Sequence, residues 1–146
     1  MTFPPPTAFM PHRAPMLMID ALVAHSEDAC TCVKTFREGD PLVEHGAVSA
    51  LVVVELFAQA AAAHFGYAGL VRGGAMASGA LLGTRRIDLS VGTIPLGTAI
   101  TIEAVRTMAM PPMAQFECTA SIDGAKIASG SINVAMGGGP PPEARG

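Results

Sequence analysis

The sequence predicts an α+β fold, with one long buried helix packed on a mostly antiparallel sheet of five to six strands. Three observations carry this expectation. The stretch "VSALVVVELFAQAAAAHFG" (residues 48–66) is apolar over a helical length. Apolar and polar residues alternate from Met113 to Ile122, and Asp123-Gly124 then gives a two-residue hairpin signal ahead of a second strand. Half of the 146 residues are hydrophobic and only 14% are charged. That is less charge than an ordinary soluble surface carries, so a partner subunit is expected to cover part of it.

The elements come in order along the chain. Pro4-Pro5-Pro6 make residues 1–7 an extended arm, and one domain is expected over 8–136. Leu17 to His25 is a strand-like run, Ser26-Glu27-Asp28 a turn, and Ala29 to Phe36 a second strand with Cys30 and Cys32 on one face. Arg37 to Gly46 reads as a polar loop broken by Gly39, Asp40-Pro41 and Gly46. The helix is expected over Ser49 to Phe65. Ser49 serves as N-cap, because its hydroxyl can accept from a first-turn N–H, and Gly66 ends the helix in the left-handed conformation. Val52-Val53-Val54 favours strand locally, but the Ala-rich second half and the length decide for helix. Ala77 to Leu89, Thr98 to Thr107, Met113 to Ile122 and Ala125 to Met136 complete the strands. Gly79 and Gly83 inside the first of these mark bulges or space cleared for a ligand. Gly, Pro and charge make residues 137–146 a disordered tail.

Composition excludes several classes. The net charge of −3, the lack of a basic run and the absence of Trp argue against nucleic acid, whose phosphates need clustered Lys and Arg. Three cysteines, an odd number, with no signal peptide, imply reduced thiols in the cytoplasm. Cys30 and Cys32 are expected to be small buried hydrophobes. No His or Cys stands at metal-ligand spacing, so neither a metal nor a cofactor is expected. The longest apolar run, Ala47 to Ala63, falls short of the roughly 20 residues that span a bilayer.

Glu55 is the anomaly of the helix, since a carboxylate among apolar groups is costly unless it is paired or functional. Gln59 lies four residues on and shares its face. His64 falls on the opposite face and is expected to stay apart. A carboxyl in apolar surroundings keeps its proton to higher pH and can act as a general acid. Backbone N–H groups at the helix start, around Ser49 and Ala50, can hold a thioester carbonyl or its enolate. His45, just upstream, can remove a proton. Acid, base and oxyanion donors together suit elimination of water β to a carbonyl. The bland alternatives are a structural carboxylate bonded to backbone, Arg85 or Arg86, a surface His45, and a Gln59 that only supports.

Four stretches carry a resemblance to a known family. "MPHRAPMLMID" (Met10 to Asp20) resembles the "LPHRxPMLLLD" opening of 3-hydroxyacyl-ACP dehydratases, and "VSALVVVELFAQAAAA" resembles their central helix with its "E-x-x-A-Q" motif. "GALLGTRRIDLSVGTIPLG" (Gly79 to Gly97) resembles "GFLLGTRR…FPVG", and "FECTASIDGAKIASGSINV" (Phe116 to Val134) fits the closing hairpin. The last two point to the ApeP-like branch, linked to aryl polyene and related pathways. The resemblance implies a hotdog fold, a homodimer or hetero-hotdog complex with sites at the subunit interface, and acyl-ACP or acyl-CoA thioesters as substrates. It places Glu55 as catalytic acid and Gln59 as the motif's Gln. Ser49, Ala50, Gly79 and Gly83 fall in the substrate-binding region. FabZ-like relatives carry a catalytic His fourteen residues before the Glu, where this chain has Pro41, and a Pro-Gly pair where it has Ser49-Ala50. His45 is then the first candidate base and His12 of "PHR" the second. A hotdog thioesterase, or a non-catalytic subunit of an active dehydratase, are the alternatives.

Overall fold

Helix formation starts where the sequence says it should. Ser49 Oγ accepts from the Leu51 N–H at 3.3 Å, a 3-10 turn occupies Ala50–Val52, and α1 continues over Val53–Val71. The computed structural model describes residues 2–74 and 78–137; Ala77 and the expected tail from 138 on lie outside them. The helix does not end at Gly66. It runs five residues further, and Gly66 is a buried mid-helix position over which the N-terminal segment crosses. A Cβ there would overlap the Phe9 carbonyl oxygen. This glycine therefore serves close backbone approach rather than a left-handed cap. Ala50–Val71 is consequently long and apolar enough to cross a membrane, but most of it is buried inside the fold, as a core helix is.

The strands are β1 (Ala21–His25), β2 (Ala29–Thr35), β3 (Val43–Glu44), β4 (Ala47–Ser49), β5 (Ser78–Leu89), β6 (Thr93–Pro95), β7 (Ala99–Met110), β8 (Met113–Ile122) and β9 (Ala125–Gly137). Six of them form one antiparallel sheet in the order β1-β2-β7-β8-β9-β5. The expected hairpin is present, with Asp123 and Gly124 both at positive φ, as a type I′ turn requires. β3, β4 and β6 form a second, three-stranded sheet beside the helix start. The loop expected over residues 37–46 thus contains a short strand. His45 and Gly46, also both at positive φ, turn it back into β4. The first strand is shorter than expected because the N–H groups of Met18 and Ile19 are bonded to a helix side chain and not to a neighbouring strand.

The sheet wraps the helix. Phe116, Cys118 and Ala120 point inward from β8, as the alternation predicts, and pack with Ile100, Ile102, Ala104, Cys30 and Cys32 against Leu56, Phe57 and Ala60 of α1. Full burial of a side chain such as Phe116 contributes about 1.5–3 kcal/mol. All three cysteines are free and buried, and Cys30 Sγ donates to the Ala60 carbonyl at 3.3 Å. Toward the end of α1, Tyr67 receives the edges of Phe3 and Phe9, and the His25 ring stacks on His64 at 4.7 Å. Residues 6–8, expected to be partly extended arm, form a 3-10 turn.

Candidate active site

Glu55 stands in the first turn of α1, half-buried, between two cavities. The larger, about 900 Å³ and open to solvent, surrounds the helix start. Its wall includes His45, Ser49, Leu51, Val54, Glu55 and Thr93. The smaller, about 120 Å³, lies between α1 and the β5–β9 pair. Its wall includes His12, Glu55, Ala58, Ala62, Gly79 and Ala135. Glu55 thus shares the wall of the larger cavity with His45 and that of the smaller one with His12.

The Glu55 carboxylate is held by its i+4 neighbour. Gln59 Nε2 donates to Glu55 Oε2 at 2.7 Å and to the Met16 carbonyl at 2.8 Å. Its Oε1 accepts from the Met18 N–H at 2.8 Å and the Ile19 N–H at 3.4 Å. A fully buried amide with both ends engaged fixes its own rotamer and aims the carboxylate. Arg86, a conceivable structural partner for Glu55, instead pairs with Asp88 at 2.7 Å and Glu117 at 3.8 Å. The helix N-terminus adds partial positive charge to the same region.

The histidines differ in setting. His45 is exposed on the β3–β4 turn. His12 is partly buried, and its Nδ1 is enclosed with no hydrogen-bond partner among the described residues. His64 is elsewhere, as its helical position predicts. Its Nε2 bonds to the Glu27 carbonyl at 3.1 Å, and its pKa is lowered to about 4 by burial and by the neighbouring His25 and Arg106.

Two expected binding residues are not placed as anticipated. Ala50 is buried, is not part of the larger cavity's wall, and its N–H donates to the Gly92 carbonyl at 3.0 Å. The expectation of a free oxyanion donor at Ala50 is corrected on that ground, because β6 and its preceding loop pack on the helix start. Gly83 lies at an irregularity of the β5–β9 pairing, and a Cβ added there would meet nothing within 4 Å. The bulge raised by the sequence is present at Gly83, and Gly79 forms part of the smaller cavity's wall. Sequence reasoning missed Ala58, Ala62 and the wall from β9. Ala58 and Ala62 could have been read from their spacing of three and seven residues from Glu55 on one face.

The model of the ApeP-like family, described as ApeP dehydratase, matches residues 4–140. The chain belongs to that family. Among solved structures, this ApeP-like chain is similar to the dehydratase heterocomplex ApeI:P from Xenorhabdus doucetiae, with a TM-score of 0.89 and 24% identity, covering 97% of this chain and 94% of that one. It is also similar to an HP0420 homologue from Helicobacter felis (TM-score 0.67, 15% identity, 88% and 85% covered). A mutant thioesterase from Pseudomonas aeruginosa matches at TM-score 0.60 and 12% identity, with 81% and 80% covered. Among curated proteins no sequence match was found. At these identities the likenesses establish the fold, a hotdog in which the sheet enfolds the helix.

Proposed function

We propose that this ApeP-like chain dehydrates a 3-hydroxyacyl thioester, carried on ACP or CoA in the cytosol, to the trans-2-enoyl thioester. The observation that carries this reading is the placement of Glu55 and His45 on the wall of one cavity at the helix N-terminus. His45 takes the proton from C2. The electron pair left behind forms the C2–C3 double bond, and the C3–O bond breaks as Glu55 delivers its proton to the departing hydroxyl, which leaves as water. Negative charge builds on the thioester oxygen during proton removal, and the positive end of α1 stabilises it. No oxidant, reductant or metal is required by this balance.

The cavity is open on one side, and Leu42 and Leu51 on its wall are largely exposed. That apolar opening supports a second hotdog chain, of the same or another kind, as the missing wall. The heterocomplex in which the Xenorhabdus relative was solved adds to that reading.

The test is incubation of the purified chain, alone and with a co-expressed hotdog partner, with 3-hydroxyacyl-ACP and 3-hydroxyacyl-CoA, following loss of water by mass. Glu55→Gln and His45→Ala are each expected to slow turnover about 10²–10⁴-fold. If only His12→Ala slows it, the base role passes from His45 to His12. Release of free thiol without loss of water would replace the proposal with thioester hydrolysis. A complex whose rate is indifferent to Glu55→Gln and His45→Ala would make this chain a non-catalytic subunit.

A further inference from the structure

Glu55, Gln59, Ala62 and Gly66 succeed one another along one stripe of α1, within about 60° at 3.6 residues per turn. The segment from Phe9 to Ile19 lies along that stripe. At one end the Phe9 carbonyl rests on Gly66, with no room for a Cβ between them. At the other end Gln59 holds the backbone of Met16, Met18 and Ile19. Between the two anchors His12 enters the small cavity beside Glu55, Ala58 and Ala62. The segment is stiffened from within: Arg13 Nη1 donates to the Met10 and His12 carbonyls, both at 2.7 Å, and Nη2 to the Thr7 carbonyl at 3.3 Å. Met10 is fully buried, which pins the stretch between Phe9 and His12.

We propose that residues 9–19 form a strap that holds His12 in the small cavity it shares with Glu55, and that Gly66 is a positioning residue of the site acting through this strap. Gly66 is eleven residues from Glu55, roughly 16 Å along the helix, and touches neither cavity. Its influence is geometric. A Cβ at Gly66 would stand 3.0 Å from the Phe9 carbonyl carbon, and closer still to its oxygen. Non-bonded carbon and oxygen atoms settle well beyond 3 Å, and the oxygen is the tighter contact, so the strap must lift by about 1 Å or more. Only Met10 and Pro11, in a segment braced by Arg13, separate Phe9 from His12 and give little slack to absorb the shift. A misplacement of about 1 Å in a reacting site can cost about 10²-fold in rate. The enclosed Nδ1 of His12, which has no partner among the described residues, is the group whose placement is lost.

The kinetic side of this inference rests on the dehydratase reading, so the experiment has two arms. In the first, Gly66→Ala is expected to lower kcat on a 3-hydroxyacyl thioester about 10–100-fold with a smaller change in KM. It is expected to have no further effect in a His12→Ala background, since the two act in series. In the second, the His12 ring resonances are assigned with His12→Ala. They are expected to respond to Glu55→Gln in the native chain and to lose that response in Gly66→Ala. Wild-type kcat in folded Gly66→Ala, or a full multiplicative loss in the double variant, overturns the proposal. So does an unchanged His12 response. If no thioester is dehydrated by the native chain but the ring response behaves as stated, the strap stands and the dehydratase reading falls. Should Gly66→Ala fail to fold, Phe9→Ala loosens the same anchor without a clash, and the same outcomes decide.

Discussion

Replacing Gln59 with Leu keeps the volume of the side chain and deletes every hydrogen bond it makes. The Met18 N–H loses a 2.8 Å bond, and the buried Ile19 N–H loses a longer one at 3.4 Å. The Met16 carbonyl also loses its donor, but Met16 is 65% exposed and water can replace it. One fully unsatisfied buried N–H and one partly unsatisfied one cost about 2–4 kcal/mol together. For a chain of this size each kcal/mol moves Tm by about 2–4 °C, so a fall of about 5–15 °C is expected. Thermal unfolding followed by circular dichroism, at one fixed protein concentration, measures it. Turnover is expected to fall in the same variant because Glu55 loses the donor that aims it. Gln59→Glu sharpens the comparison. It can still accept from Met18, but it sets a second carboxyl beside Glu55, so it should lose activity while keeping more of the stability. A Gln59→Leu protein that melts within about 2 °C of wild type, with unchanged turnover, would refute the view that this amide joins the strap to the Glu55 carboxylate.

His64 makes stability depend on pH. Its folded pKa of about 4 lies below the value of about 6.5 in an unfolded chain, so its contribution is complete above pH 6.5 and is lost as pH falls toward 4. The loss amounts to about 2 kcal/mol at pH 5, to be read from urea midpoints; parallel pH profiles for wild type and His64→Leu would contradict it. The thiols should be inert in the native state: burial, with the nearby Glu117 charge, pushes Cys118 up to about 12, and Cys30 is raised well above its usual value by a hydrogen bond between its thiol and that of Cys32 and by burial. At pH 8 a thiol-disulfide reagent is expected to count no fast thiol in the folded chain and three in denaturant; one fast native thiol would count against the packing described.

The helix start, the inward faces of β2 and β8 and the Asp123-Gly124 turn were legible because each depends on neighbours in sequence. Ser49 caps the turn directly after it, and alternation is read within a few residues. The pairing of Glu55 with Gln59 was legible for the same reason, being one helical turn apart. Gly66 misled because a glycine that ends a helix and a glycine that admits another backbone look alike locally. Phe9, which decides between them, lies far upstream. Ala50 misled in the same way, since the Gly92 carbonyl that takes its N–H arrives from a distant loop. The small sheet escaped notice because strands of two or three residues carry no periodicity of their own. That Glu55 shares one cavity wall with His45 and another with His12 is a long-range arrangement for which spacing gives no rule.

The small cavity joins early and late chain. His12 forms part of its wall, and so do Val134 and Ala135. A ribosome adding about 5–20 residues per second needs roughly 6–25 s to pass from the first of these to the last. Once residue 66 has been made, Glu55 and the strap can be in place while β9 does not yet exist to supply its wall. A chain truncated before β9 can thus carry Glu55, His12 and His45 and still lack one wall of the cavity that Glu55 and His12 share.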